Sequence, residues 1–117
     1  MYLIYDTETT GLPRNFNAPI TDLDNWPRAV QVAWQLHDAT GKLLNARSYI
    51  IKPHGFTIPF NAEKVHGIST ELAQQEGHDL LKVLQEFAAD VERCEFVVGH
   101  NVSFDINIMG AEFLRKQ

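Results

Sequence analysis

The apolar positions of this chain follow two different periods, and the switches between them mark out the elements. Tyr2 to Asp6 is a short apolar run that reads as a buried strand. From Ala29 to Leu36 the period is two, with Val30, Val32 and Trp34 on one face and Gln31, Ala33 and Gln35 on the other. Leu43 to Ile51 supplies another strand. Asp38-Ala39-Thr40-Gly41 between these two runs is a turn signal, so they are predicted to form a hairpin. The three strands are expected in one sheet, at least partly antiparallel.

Beyond Ile51 the punctuation changes. Pro53-His54-Gly55-Phe56 and Ile58-Pro59 mark a loop. Asn61 is placed to cap a short helix through Val65, Gly67 ends it, and Ser69 or Thr70 caps another short turn. The clearest helix runs from Asp79 to Arg93, where Leu80, Val83, Leu84, Phe87, Ala88 and Val91 keep a helical spacing on one side. Phe96 to Val98 returns to strand. A helix starting near Ser103 or Phe104 carries Ile106, Ile108, Met109, Phe113 and Leu114, apolar on more than one face. Strands, then helices, then a strand and a helix predict an α/β fold, a mixed sheet with helical cover. Arg14 to Pro27, rich in Asn, Asp and Pro and without a period, is a long loop in which Trp26 reads as a packing residue, with shaping a cleft as its alternative role.

A length of 117 residues allows one modest core and not two domains. The net charge of -5 excludes a generic electrostatic nucleic-acid binder, though not an enzyme whose bound metals reverse the local sign. Cys94 is the one cysteine, which excludes an intrachain disulfide and a thiolate metal cluster; it reads as a small apolar residue at a helix end. No apolar stretch reaches the roughly 18 residues of a membrane span, so no membrane association is expected, and the reading is a soluble cytoplasmic protein.

The chemistry concentrates at two strand ends. Asp6 and Glu8 lie two apart in an extended segment, so their side chains leave the same face. In an α/β sheet the carboxyl edge is where ligands collect. Acids are common where a strand enters solvent, but a pair followed by Thr9-Thr10-Gly11 is less ordinary. The same arrangement recurs when Phe96-Val97-Val98 runs into Gly99-His100-Asn101-Val102-Ser103-Phe104-Asp105. Asp105 there is equally an ordinary helix N-terminal acid, and the two roles are compatible. His100 and Asn101 also serve as polar turn residues. Three converging carboxylates repel one another unless divalent cations bind them, which is the pattern of a two-metal phosphoryl-transfer site.

Asp6-Thr7-Glu8-Thr9-Thr10-Gly11 resembles the first motif of the DEDD superfamily of ribonuclease H-like 3′-5′ exonucleases, and Gly99 to Asp105 is similar to its second. The Arg14–Pro27 insertion and Val65-His66-Gly67-Ile68 lean towards the branch of the bacterial DNA polymerase III epsilon subunit rather than towards oligoribonuclease. The resemblance implies a ribonuclease H-like mixed sheet flanked by helices. It implies hydrolysis of terminal phosphodiester bonds of DNA, releasing nucleoside 5′-monophosphates. Asp6, Glu8 and Asp105 would be the catalytic residues and the ligands of two divalent cations, Mg²⁺ or Mn²⁺. Thr7, Thr9, Thr10, Gly11, Leu12, His66, His100, Asn101 and Phe104 would surround the substrate, with Leu12 against a base and Thr9 at the terminal sugar. Leu12 and Phe104 read equally as packing residues. The implied partners are a single-stranded or frayed 3′ end of DNA, with RNA as an alternative, and a DNA polymerase, in replication and repair.

The family's third motif, a general-base histidine or tyrosine with a fourth aspartate, has no counterpart in Ile106 to Gln117. Residues 1–117 are therefore expected to be the amino-terminal two thirds of a single exonuclease domain, lacking its carboxy-terminal strand and helix. The full-length product is expected to be the enzyme, and the 117-residue chain to be weakly active or inactive. The last helix is expected to expose an apolar side, through which a homodimer could form. Three alternatives remain open. They are a catalytically degenerate module that binds nucleic-acid ends, a protein-interaction module, and an oligoribonuclease-like RNA exonuclease.

Overall fold

A computed structural model describes residues 1–116. Strands β1 (Tyr2–Thr9), β2 (Ala29–His37), β3 (Leu43–Ile50) and β4 (Phe96–Val98) form one sheet in the order β3-β2-β1-β4. β2 pairs antiparallel with β3, as two alternating runs joined by a tight turn dictate, and β1 pairs antiparallel with β2 across the long loop. Asp38 holds that turn: its Oδ1 accepts from the backbone N–H groups of Thr40 and Lys42. β4 lies parallel to β1 on its other side. A parallel neighbour needs a crossover, and helices α1 (Phe60–His66), α2 (Thr70–Glu76) and α3 (Leu80–Arg93) occupy that connection. Helix α4 (Val102–Arg115) follows β4. This is the ribonuclease H-like mixed sheet with helical cover; the described residues include no fifth strand and no helix after α4.

The core lies on one face of the sheet. Leu3 and Tyr5 of β1 and Val32, Trp34 and Leu36 of β2 pack with Val83, Leu84 and Phe87 of α3 and Ile108 and Met109 of α4. Phe87 meets Tyr5 and Trp34 edge-on, at centroid distances of 5.0 and 5.3 Å. Buried Asp90 accepts from Trp34 Nε1 at 2.8 Å and from Asn45 Nδ2 at 2.7 Å, so the indole N–H does not go unpaired. A second cluster joins Val30 to Ile58, Ala62, Ile68 and Ala73 and carries α1 and α2.

Several boundaries differ from the sequence reading. β1 runs on to Thr9, because the backbone of the polar motif keeps pairing with β2. Asn61 does not cap α1: Pro59 is the cap residue, and its fixed φ of −62° suits an extended entry. Gly67 ends α1 in the left-handed conformation, φ 77°, with its N–H on Glu63 O. Ser69 caps α2 through Leu72 N, and Asp79 caps α3 through Lys82 N. α4 is better covered than its composition suggests, since Ile106 is its one exposed large apolar residue. The open apolar surface lies instead on the outer sheet face, a depression of 780 Å³ crossing Ile4, Ala33, Gln35, Ala46 and Val98 to reach Asp6. Among the described residues no helix is long and apolar enough to cross a membrane.

Candidate active site

β1 sets the site by alternation. Leu3, Tyr5 and Thr7 point into the core, whereas Ile4, Asp6 and Glu8 leave the other face; Asp6 is exposed and Glu8 half-buried. Between Glu8 and Thr9 the pairing with β2 slips past Val30, a bulge that re-aims the chain as it leaves the sheet. Thr9 Oγ1 then donates to Gly11 O at 2.7 Å and accepts from Gly11 N at 3.3 Å, closing a local turn. Thr10 N donates to Arg28 O at 3.0 Å, and Arg28 N donates to Thr10 Oγ1 at 3.0 Å. Leu12 projects beyond this turn, 75% exposed.

His66 sits at the end of α1 and reaches back to this turn. Its Nδ1 accepts from Ile68 N at 3.1 Å, so Nε2 carries the hydrogen and donates to Thr9 O at 3.2 Å. The structure thus gives His66 a definite contact with the Thr9 backbone.

Asp105 is delivered by the first turn of α4 and is buried, 2% exposed. Thr7 Oγ1 donates to its Oδ1 at 2.6 Å. Burial is the main cause that holds this carboxyl above its ordinary value; the Thr7 hydrogen bond works against the shift, Asp6's negative charge adds to it, and His100 opposes it. The Tyr5 phenol is likewise pushed up, first by burial and then by the charge of Asp105. Gly99 makes the close approach of β4 possible, because a Cβ there would lie 3.1 Å from Tyr5 O and 3.5 Å from Asp105 Oδ2. His100 and Asn101 are exposed at the entry to α4, and Asn101 makes no side-chain cap bond. Phe104 packs partly on the core, and its ring centroid is 6.4 Å from that of Phe16.

The structure brings Asp105 to Thr7, the residue between Asp6 and Glu8, and His66 to Thr9. Among the described residues it gathers no group of three or more His, Cys, Asp or Glu side chains that could hold a metal ion. The reason is directional: Thr7, to which Asp105 bonds, faces the core, while Asp6 and Glu8 leave the opposite face. The donor chemistry nonetheless suits a hard divalent cation. These are carboxylate oxygens, and the Asp6–Asp105 repulsion is of the kind such a cation relieves.

One set of residues escaped the sequence reading. Glu112 of α4 is completely buried. Its carboxylate accepts from Arg28 Nε at 3.0 and 3.3 Å, from Ala29 N at 2.9 Å and from Arg115 Nη1 at 2.7 Å. Arg115 Nη2 also donates to Leu23 O and Trp26 O, each at 2.7 Å, and so ties down the long loop. The available signal was the spacing of Ile108 and Glu112, four apart and hence on one helix face.

The fold defines a ribonuclease H-like α/β domain. At TM-scores of 0.77 and 0.78 and 20% identity, 97% of this chain superposes on E. coli exonuclease I, solved with a dT13 and a dA16 oligonucleotide respectively, and covers 23% of that chain. A DNA polymerase III PolC-type protein of Mycoplasmopsis pulmonis (strain UAB CTIP) is 26% identical over 113 residues, which is 97% of this chain and 7% of that protein. No protein-family model matches. The chain therefore spans about a quarter of exonuclease I and under a tenth of the polymerase.

Proposed function

We propose that the chain is the amino-terminal part of a metal-dependent 3′-5′ exonuclease domain, acting on single-stranded or frayed 3′ ends of DNA and releasing nucleoside 5′-monophosphates. One observation carries this reading: β1 and β4 lie side by side and parallel, so both motif segments leave the same edge of the sheet, where Thr7, between Asp6 and Glu8, holds Asp105 by a hydrogen bond of 2.6 Å. The superposition on an exonuclease solved with oligonucleotides supports it.

Asp6, Glu8 and Asp105 would hold two Mg²⁺ or Mn²⁺ ions, and Thr7 sets the orientation of Asp105. When bound, such a pair supplies activation of water and charge stabilisation at the phosphoryl group. The Thr9–Gly11 turn receives the terminal sugar, His66 fixes that turn from behind, and Leu12 lies against the terminal base. Phe104 supports the same pocket, and His100 and Asn101 flank the phosphate. A general base and a fourth acid come from residues outside 1–117, so this chain by itself turns over slowly or not at all. The Arg14–Pro27 loop, the Val65–Ile68 segment and the polymerase relative favour DNA and a polymerase-associated role in the cytoplasm over an oligoribonuclease-like RNA activity.

A second reading, an inactive module that binds nucleic-acid ends, is favoured by one observation: Asp105 is buried and already hydrogen-bonded to Thr7. Incubating 5′-labelled single-stranded DNA with Mn²⁺ separates the two. The full-length product is expected to shorten the DNA stepwise, and Asp6→Ala to stop it. DNA left intact by the full-length product overturns the exonuclease reading.

A further inference from the structure

We propose that Glu112 is a positioning residue, which acts through Arg28 to fix the Thr9–Leu12 turn where the 3′-terminal nucleotide is received; this rests on the exonuclease reading above. A fully buried carboxylate is costly unless it is paired, and an apolar side chain of similar size commonly packs as stably. What the ion pair adds is geometry. Both Glu112 oxygens are engaged by the start of β2, through Arg28 Nε and Ala29 N. Arg28 in turn exchanges two hydrogen bonds with Thr10. Helix α4 is thus pinned at Asp105 to Thr7 and at Glu112 to Arg28, two points about 10 Å apart along its axis. One helix sets both the buried acid and the turn beside it.

The neighbouring cleft argues for positioning rather than anion binding. Its volume is 440 Å³, and Thr10, Leu12, Arg28, Phe56 and Arg115 are among its walls. Both arginines are already engaged: Arg115 bonds Glu112 and two backbone carbonyls, and Arg28 bonds Glu112 with its guanidinium 4.5 Å from the Phe56 ring centroid. Arg28 Nε thus holds the start of β2 to α4, and Arg115 holds the Leu23–Trp26 segment to the same carboxylate.

The test uses Glu112→Gln, which keeps the shape and an acceptor for Ala29 N. Arg28→Lys, at a partly exposed position, is the second variant should the first not fold. Four readouts are taken: exchange of the Thr10 amide and of the Trp34 amide by NMR, affinity for thymidine 5′-monophosphate with Mn²⁺, and affinity for Mn²⁺ alone. The expected result is about ten-fold faster Thr10 exchange and about ten-fold weaker nucleotide binding, with Mn²⁺ affinity and Trp34 amide exchange unchanged. Unchanged Thr10 exchange overturns the proposal. So does faster Thr10 exchange with unaltered nucleotide affinity, or a parallel change in all four with loss of global stability. Absence of nucleotide binding by the unmutated protein overturns both this proposal and the reading beneath it.

Discussion

The Thr7 hydroxyl lies 2.6 Å from Asp105 Oδ1, joining the first strand to the last helix. Thr7 is the residue between the two acids of the first motif, and alternation turns it inward as they turn outward. The motif therefore has two faces: Asp6 and Glu8 present charge to solvent, and Thr7 holds the third acid from behind.

Thr7→Val preserves shape and removes this donor from a buried carboxylate. It is expected to cost about 1.5–3 kcal/mol, as hydrogen bonds to charged groups do. Urea unfolding in EDTA measures it. A change below about 0.5 kcal/mol, ordinary for a surface substitution, would mean that the contact does not hold Asp105.

Asp105 gives a pH signature. Its folded-state value is raised, chiefly by burial, so the charged form is disfavoured in the folded protein. The sign follows from linkage: its penalty on stability is absent below the unfolded value of about 3.9 and grows as pH rises through the folded value. In EDTA, Asp105→Asn is therefore expected to melt higher than the unmutated protein at neutral pH, with the difference closing as pH falls towards about 4. A variant that melts lower at neutral pH and higher in acid would reverse the argument.

Asp90 provides a test of the core away from the acids. It accepts from the Trp34 indole and from Asn45, so Asp90→Ala leaves both donors without their partner. The expected loss is on the order of 2–4 kcal/mol, read as an earlier denaturation midpoint with an unchanged slope. Stability unaffected by this change would show that water replaces the carboxylate at no cost.

Much of this fold was legible because local and global signals agree. The β2 alternation, the Asp38–Gly41 turn and the α3 apolar stripe each recur in place. The misreadings have physical causes. β1 was read short, to Asp6, because polarity at Thr7–Thr9 hides backbone pairing that needs no apolar side chain. Asn61 is a good cap by composition, but the chain enters α1 at Pro59. Asp6 and Asp105 were identifiable as site candidates by motif, and the strands that lead to them, β1 and β4, lie side by side and parallel. Their directions were not legible, since the Thr7–Asp105 bond depends on how α4 lies under β1. Glu112 was missed because its partners, Arg28 and Ala29, are more than 80 residues away in sequence.

The central claim, that Asp6, Glu8 and Asp105 form a divalent-cation site, is tested most directly by titrating the protein with Mn²⁺ in a calorimeter, beside Asp6→Asn. Saturable binding by the unmutated protein, weakened about ten-fold or more in the variant, is the expected result. Equal binding by both, or none by the unmutated protein, would contradict it.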